Sequence, residues 1–165
     1  DLVEASKASS GAIAVKPEPC ELNVLLEQTM GEYAERLKAA GLEPVLEKAR
    51  ESVTVMADGR HMWRILDNLM SNVCKYSLPG SRVWLSLEAD ETQARIWLKN
   101  TSKERISISP DELSQRFVRG DSSRNTEGSG LGLSIAESLA RLQGGDMHIS
   151  LDGDLFRVCL SFPRK

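Results

Sequence analysis

Thr126-Glu127-Gly128-Ser129-Gly130-Leu131-Gly132-Leu133-Ser134-Ile135-Ala136 is the stretch from which the rest of the chain can be read. Its glycines at alternate positions leave backbone N–H groups open to close approach and free φ from the Cβ restriction. A helical pattern follows at once, with Leu133, Ile135/Ala136, Leu139 and Leu142 at spacings of three and four. A glycine-rich turn that opens a helix is a ready anion site, because unpaired N–H groups and the positive dipole end face the ligand. The stretch is therefore read as a phosphate-binding segment rather than a plain flexible connector.

Two familiar phosphate motifs are excluded. A Walker loop needs a Lys after its last glycine, and none follows here. A dinucleotide fingerprint must follow a buried strand, yet Arg119-Gly120-Asp121-Ser122-Ser123-Arg124-Asn125 is polar throughout. The glycines are thus entered from a polar loop, which gives the segment the character of a lid.

Length and composition set the frame. The 165 residues suit one domain with a proper core, and 41% hydrophobic with 27% charged residues argues against wholesale disorder. A net charge of −3 gives no reason to expect nucleic-acid binding. No apolar run reaches the roughly 20 residues of a membrane span, and no signal peptide is visible. Because the chain begins at Asp1 without Met, it is expected to be a fragment whose parent can hold a membrane segment. Cys20, Cys74 and Cys159 are widely spaced in apolar patterns and form no zinc motif, so they are read as buried thiols of a reducing compartment.

Taken in order, Asp1 to Ser9 is helix-compatible and is broken by Ser9-Ser10-Gly11. Pro17 and Pro19 mark an extended connector. Leu22 to Ala40 reads as an amphipathic helix stopped by Gly41. Glu43–Lys48 and Ser52–Met56 alternate like a pair of strands. Asp58 caps a helix running to about Tyr76, and Pro79-Gly80 is a turn. Two strands follow, with Val83/Leu85/Leu87 and Ala94/Ile96/Leu98 facing one way and Asp90-Glu91 between them. Trp84 and Trp97 lie on their opposite face, where they are expected to pair structurally. Pro110-Asp111-Glu112-Leu113 starts a short helix. Gly144-Gly145 stops the helix after the lid, and Met147–Leu151 with Leu155–Phe162 close the chain as a hairpin around Asp152-Gly153. Strands and three good helices that do not alternate strictly predict an α+β sandwich, a mixed sheet with helices on one face.

The helix from Asp58 to Tyr76 carries a second constellation. Met62, Ile65/Leu66, Leu69 and Val73 form its core stripe, while Asn68, Asn72, Lys75 and Tyr76 fall on another face. Asn has weak helix propensity, so two of them one turn apart in mid-helix are unexpected if structure alone decides. An amide oxygen can ligate Mg²⁺, and Lys75 one turn later can meet a phosphate as a point charge.

Asn68-Leu69-Met70-Ser71-Asn72-Val73-Cys74-Lys75-Tyr76 resembles the N box of two-component sensor histidine kinases, in the ATPase superfamily shared with gyrase, Hsp90 and MutL. Arg116-Phe117-Val118-Arg119 resembles their F box, and Gly128-Ser129-Gly130-Leu131-Gly132-Leu133 their second glycine box. Order and spacing agree from about residue 20 onward. The resemblance implies a Bergerat ATP-binding fold, a two-layer α/β sandwich that holds ATP between the N-box helix and the lid. It further implies that residues 1–16 are the end of a dimerisation helix with its linker, and residues 17–165 the catalytic and ATP-binding domain. By the same resemblance Asn72 is the Mg²⁺ ligand, assisted by Asn68, and Lys75 and Tyr76 lie near phosphate and nucleotide. Gly128, Ser129, Gly130 and Gly132 cradle phosphates, Leu131 covers the nucleotide, and Arg119 or Arg124 meets the γ-phosphate. The family's first glycine box begins with an Asp that accepts the adenine amino hydrogen. Here the segment is Lys99-Asn100-Thr101-Ser102-Lys103-Glu104 with no glycine, and Asn100 stands in the place of that Asp.

Three functions compete on this reading. The first is the catalytic half of a histidine kinase, moving the γ-phosphoryl of Mg-ATP to a histidine on a dimerisation domain not contained here. Its implied partners are the dimerisation and phosphotransfer domain of the same, homodimeric parent and a response-regulator receiver domain. Its implied place is the cytoplasmic side of a bacterial membrane to which the parent is anchored. His61 and His148 lack the acidic residue and Pro of a phosphoacceptor segment and are read as structural. The second is an autonomous ATPase, disfavoured because the water-activating Glu of gyrase-type relatives is replaced by Asn68, while Asp67 points about 100° away around the helix. The third is a catalytically inactive nucleotide-sensing or docking module, motivated by the altered first glycine box.

Overall fold

A computed structural model of the chain describes residues 14–103 and 131–164. The short helix at Pro110, the F box with Arg119, Arg124, the glycines at 128 and 130, Ser129 and the first thirteen residues lie outside the described residues. Of Leu131 only the backbone is described.

The elements run β1 (Glu18–Glu21), α1 (Leu22–Ala39), β2 (Glu43–Glu47), β3 (Thr54–Ala57), α2 (Gly59–Tyr76), β4 (Arg82–Ala89), β5 (Gln93–Thr101), α3 (Leu131–Leu142), β6 (Asp146–Asp152) and β7 (Leu155–Pro163). Five strands form one mixed sheet in the order β2-β4-β5-β7-β6, parallel between β2 and β4 and antiparallel elsewhere. The three described helices bury their apolar stripes on one face of it.

Each helix is bounded by residues suited to the task. Glu21 caps α1, its carboxylate accepting from the Val24 N–H at 2.8 Å. Gly41, at φ 76°, adopts the left-handed turn that ends α1, and the Leu42 N–H returns to the Leu37 carbonyl at 2.9 Å. Asp58 caps α2. Gly144, at φ 81°, ends the turn after α3. At Gly145 the need is steric, since a Cβ there would fall 2.5 Å from the Phe162 ring and 2.6 Å from the Ser161 carbonyl oxygen.

Alternation places the core as expected. Val83, Leu85 and Leu87 of β4 oppose Asn100, Leu98 and Ile96 of β5, and all are buried against the helices. Leu69, Met70, Ile135 and Leu139 come down on them from α2 and α3 within one continuous cluster. The β4–β5 turn is held by Asp90, whose Oδ1 accepts from the Thr92 and Gln93 N–H groups, both at 2.8 Å. Gly153, at φ 62°, makes the last hairpin turn.

Four details differ from the sequence-based expectations. β2 and β3 are strands but do not pair with each other. β2 lies parallel to β4, and β3 pairs with β1. β1 itself falls where an extended connector was expected, and its pairing runs Glu18↔Ala57 to Glu21↔Thr54. Trp84 and Trp97 share the face opposite the described helices but are diagonal neighbours rather than partners. Trp84 opposes Lys99 and Trp97 opposes Ser86, and the Trp97 indole N–H donates to Glu88 at 2.9 Å. Of the cysteines, all free, only Cys159 is buried. Cys20 and Cys74 are half-buried at the margins of the core, and burial pushes all three thiols up.

Candidate functional site

The face of α2 away from its core stripe carries Asn68, Asn72, Lys75 and Tyr76, all half-buried. Its opposite stripe, Met62, Ile65, Leu66, Leu69, Met70 and Val73, is buried, so the orientation of the amides follows from where the apolar residues must go. The Nδ2 of Asn68 is sealed from solvent and has no hydrogen-bond partner among the described residues. A buried amide N–H of this kind costs about 1–3 kcal/mol. An energetic penalty in mid-helix therefore sits at a position where a ligand or its bound water can relieve it.

The start of α3 is brought against these asparagines. A Cβ built on Gly132 would lie 3.6 Å from Nδ2 and 3.7 Å from Oδ1 of Asn72, and 3.8 Å from the Asn68 carbonyl oxygen. The first turn of α3 thus opens beside the N-box amides. No long side chain at Gly132 separates the two.

The third piece is the end of β5. Asn100 is 4% exposed, and its Nδ2 donates to the Ser77 hydroxyl at 2.8 Å, which leaves Oδ1 as the acceptor not used in that bond. Ser77 directly follows α2, and the two segments are stitched together there. The Leu78 N–H donates to Thr101 at 2.8 Å and the Lys103 N–H to Tyr76 at 3.0 Å, with a bridge between Ser77 and Ser102. Asn100 and the Lys75–Tyr76 end of the N-box face are therefore neighbours. Of the residues singled out in the sequence, Asn68, Asn72, Lys75, Tyr76, Asn100 and Gly132 gather around the C-terminal half of α2.

Asp67, one residue before the first asparagine, turns to the other side. Its carboxylate and its backbone carbonyl both accept from the Tyr33 hydroxyl of α1, the latter at 3.0 Å. Burial and this carboxylate raise the Tyr33 hydroxyl well above the usual phenol range. The carboxylate adjoining the N-box face is thus committed to helix–helix packing. His61 and His148 are also away from the site. His61 Nε2 donates to the Ala14 carbonyl at 2.8 Å, and His148, exposed on β6, lies 3.2 Å from Asp146.

Two contributors were not visible in the sequence. Ser77 meets Asn100 from 23 residues away, and Gln143, just past α3, accepts the Asp58 N–H at 2.7 Å through its side-chain carbonyl from 85 residues away. No local pattern announces a contact of that separation. Asp58 was legible as a cap, but not as the buried carboxylate it is. Burial pushes it up, while the Lys16 N–H, the Arg60 guanidinium and N–H, and His61 together outweigh this and hold it at about 2.

Residues 57–165 match the family described as histidine kinase-, DNA gyrase B-, and HSP90-like ATPase. The probable sensor protein PcoS of Escherichia coli is 34% identical over 119 residues, which covers 67% of this chain and 26% of PcoS. Among solved structures, histidine kinase AdeS of Acinetobacter baumannii superimposes with a TM-score of 0.80 at 19% identity, covering 99% of this chain and 75% of that one. Histidine kinase ThkA, solved in complex with response regulator protein TrrA, gives 0.77 at 18% identity, covering 99% of this chain and 47% of that one. Those structures establish the shared fold. Relatives such as PcoS and the Enterococcus gallinarum sensor protein VanSC are longer, and this chain spans 26% and 41% of them. The family match takes in α2, the sheet and α3, the elements that frame the site, and the chain therefore belongs to the histidine kinase-, DNA gyrase B- and HSP90-like ATPase family, in its sensor histidine kinase branch.

Proposed function

We propose that the chain is the ATP-binding catalytic domain of a sensor histidine kinase and transfers the γ-phosphoryl group of Mg-ATP to a histidine of a separate dimerisation domain. The observation that carries this reading is the meeting of Asn68 and Asn72 with the glycine start of α3, one amide N–H of the pair being buried and unpartnered. Amide oxygens are hard donors suited to Mg²⁺, a cation held by few protein ligands plus phosphates and water, so Asn72 and then Asn68 fit the metal. When bound, the metal neutralises charge that develops on the transferred group.

The remaining roles fall to this chain's own residues. Asn100 Oδ1 accepts the exocyclic amino hydrogen of adenine, with Ser77 fixing the amide's orientation. Lys75 and Tyr76 flank the phosphates and nucleotide. The N–H groups at Gly128, Ser129, Gly130 and Gly132 cradle the phosphate chain, and Leu131 covers the nucleotide. Arg119 or Arg124 stabilises charge on the γ-phosphoryl group. Autonomous hydrolysis is disfavoured because the position of a water-activating carboxylate holds Asn68, and the adjacent Asp67 is bound to Tyr33.

Residues 1–16 are proposed to be the end of a dimerisation helix with its linker, and 17–165 the catalytic domain. The parent is a homodimer whose partners are its own phosphotransfer domain and a response-regulator receiver domain, the latter supported by the ThkA–TrrA complex. Among the described residues no helix is long and apolar enough to cross a membrane. In this reading the domain works in the cytoplasm, and any anchor belongs to the rest of the parent.

Calorimetric titration with ATP and ADP, with and without Mg²⁺, tests the proposal. Metal-dependent binding that disappears in Asn72→Ala is the expected result. Absence of binding at millimolar nucleotide would overturn it and favour a docking module.

A further inference from the structure

We propose that Asp58 is a positioning residue that ties the entering chain, residues 14–16, to both helices framing the nucleotide site, so that nucleotide binding and the state of that segment are coupled. The inference rests on the nucleotide reading of the site and adds a route by which the site communicates with the rest of the chain.

The geometry divides the carboxylate's two oxygens between two tasks. Oδ1 accepts the Arg60 N–H at 3.0 Å and so caps α2. Oδ2 accepts the Lys16 N–H at 3.1 Å and lies 3.4 Å from the Arg60 guanidinium and 3.7 Å from His61 Nε2. His61 holds the same incoming segment a second time, through the Ala14 carbonyl at 2.8 Å. The backbone of Asp58 reaches the other helix, its N–H donating to Gln143 Oε1 at 2.7 Å. Gln143 is in turn fixed by its own Nε2, which donates to the Leu139 carbonyl at 3.2 Å and approaches Met62 Sδ at 3.8 Å.

A single residue thus meets the entering segment, the start of α2 and the residue just past α3. The last two helices run antiparallel, because their far ends meet where Gly132 abuts Asn72. Asp58 is 3% exposed and its bonds to Lys16, Arg60 and Gln143 are part-buried, so solvent absorbs a shift in one partner only in part. A nucleotide that draws the start of α3 onto Asn72 therefore shifts or stiffens the pair at its other end, where Lys16 is held. By reciprocity, movement of residues 14–16 changes nucleotide affinity by the same factor.

Amide hydrogen exchange of the full 165-residue chain, with and without Mg-ATP, tests this. In the wild type, saturating Mg-ATP is expected to slow exchange at the Lys16 amide by about fivefold or more. Asp58→Ser keeps a hydroxyl that caps α2 about as well as Asp, but has no second oxygen for Lys16. It is expected to lose less stability than Asp58→Ala, bind nucleotide several-fold more weakly, and lose protection at Lys16 in either state. Gln143→Leu is expected to keep the protection of the nucleotide-free chain and lose the increment on binding. A role confined to capping would leave Asp58→Ser indistinguishable from wild type in all these readouts. Should Asp58→Ser fail to fold, His61→Ala, which removes the Ala14 bond and the 3.7 Å approach to Asp58 but leaves the Lys16 bond in place, carries the test and is expected to shrink the increment. Binding of Mg-ATP with no change at Lys16 in the wild type overturns the coupling while sparing the nucleotide reading. No binding at all overturns both.

Discussion

The two ends of the α2–α3 pair are built to opposite standards. At one end Asp58, Lys16, Arg60 and Gln143 satisfy one another within hydrogen-bond reach, and a buried carboxylate is held ionised. At the other, Asn68 keeps a sealed amide N–H with no partner among the described residues, and the residue against Asn72 is Gly132, which contributes no side chain. The same two helices carry both ends, so the contrast is not one of ordinary packing quality. An end that is fully satisfied fixes the geometry, and an end left unsatisfied is where free energy can still be gained by binding something.

The largest expected effect lies at the unsatisfied end. Asn72→Ala should lower Mg-ATP affinity on the order of a hundredfold, about 2.7 kcal/mol, and leave the denaturation midpoint nearly unchanged, as calorimetry and urea titration would show. A large loss of stability with affinity intact would erase the contrast, since Asn72 would then belong to the scaffold. Next in size, Asp58→Ala should cost about 2 kcal/mol of unfolding free energy, because it removes a cap and leaves the Lys16 and Arg60 N–H groups short of an acceptor. Asp58→Asn should cost clearly less in the same urea titration.

Smaller again, and opposite in sign, is Asn68→Leu. Replacing an unpartnered buried amide by an apolar side chain of similar volume should raise stability by about 1 kcal/mol while weakening nucleotide binding. A variant that is both less stable and a normal binder would mean that the Asn68 amide finds a partner in the nucleotide-free protein after all.

How much of this was legible beforehand divides along the same line. The site end is local in sequence: Asn68, Asn72 and Lys75 sit within one helix, and the glycines lie in one stretch beside the helix they open. Periodicity together with residue chemistry was enough to read them. The Asp58 end joins residue 16 to 58 and 58 to 143, and no window of sequence contains such contacts. The fold shows the same division. The β4–β5 and β6–β7 hairpins, closed by local turns, were legible. The parallel pairing of β2 with β4 and the pairing of β1 with β3 depend on which edge is free after the chain has folded back, so their partners were not. β1 was hidden further by Pro17 and Pro19, which mark extended chain without saying what it pairs with.

The smallest effect concerns acid, and its sign follows from the Asp58 carboxylate. Its folded value of about 2 lies below the 3.8 of an ordinary Asp, so near neutral pH it is ionised in both the folded and the unfolded chain and contributes no slope. As pH falls through the ordinary value, the unfolded chain takes up a proton that the folded chain still refuses. The stabilisation present above that value then shrinks and is gone once pH has passed the folded value. Glu21, Glu88, Asp90 and Asp146 are lowered as well, so the whole protein loses stability in acid for several reasons. Asp58→Asn, which does not titrate, subtracts these shared contributions. The wild type's urea midpoint should therefore fall more steeply than the variant's between the two values, and the curves should run parallel above them. Superimposed curves throughout would mean that the Lys16 and Arg60 N–H groups do not hold this carboxylate in solution, and the satisfied end would no longer differ in kind from the open one.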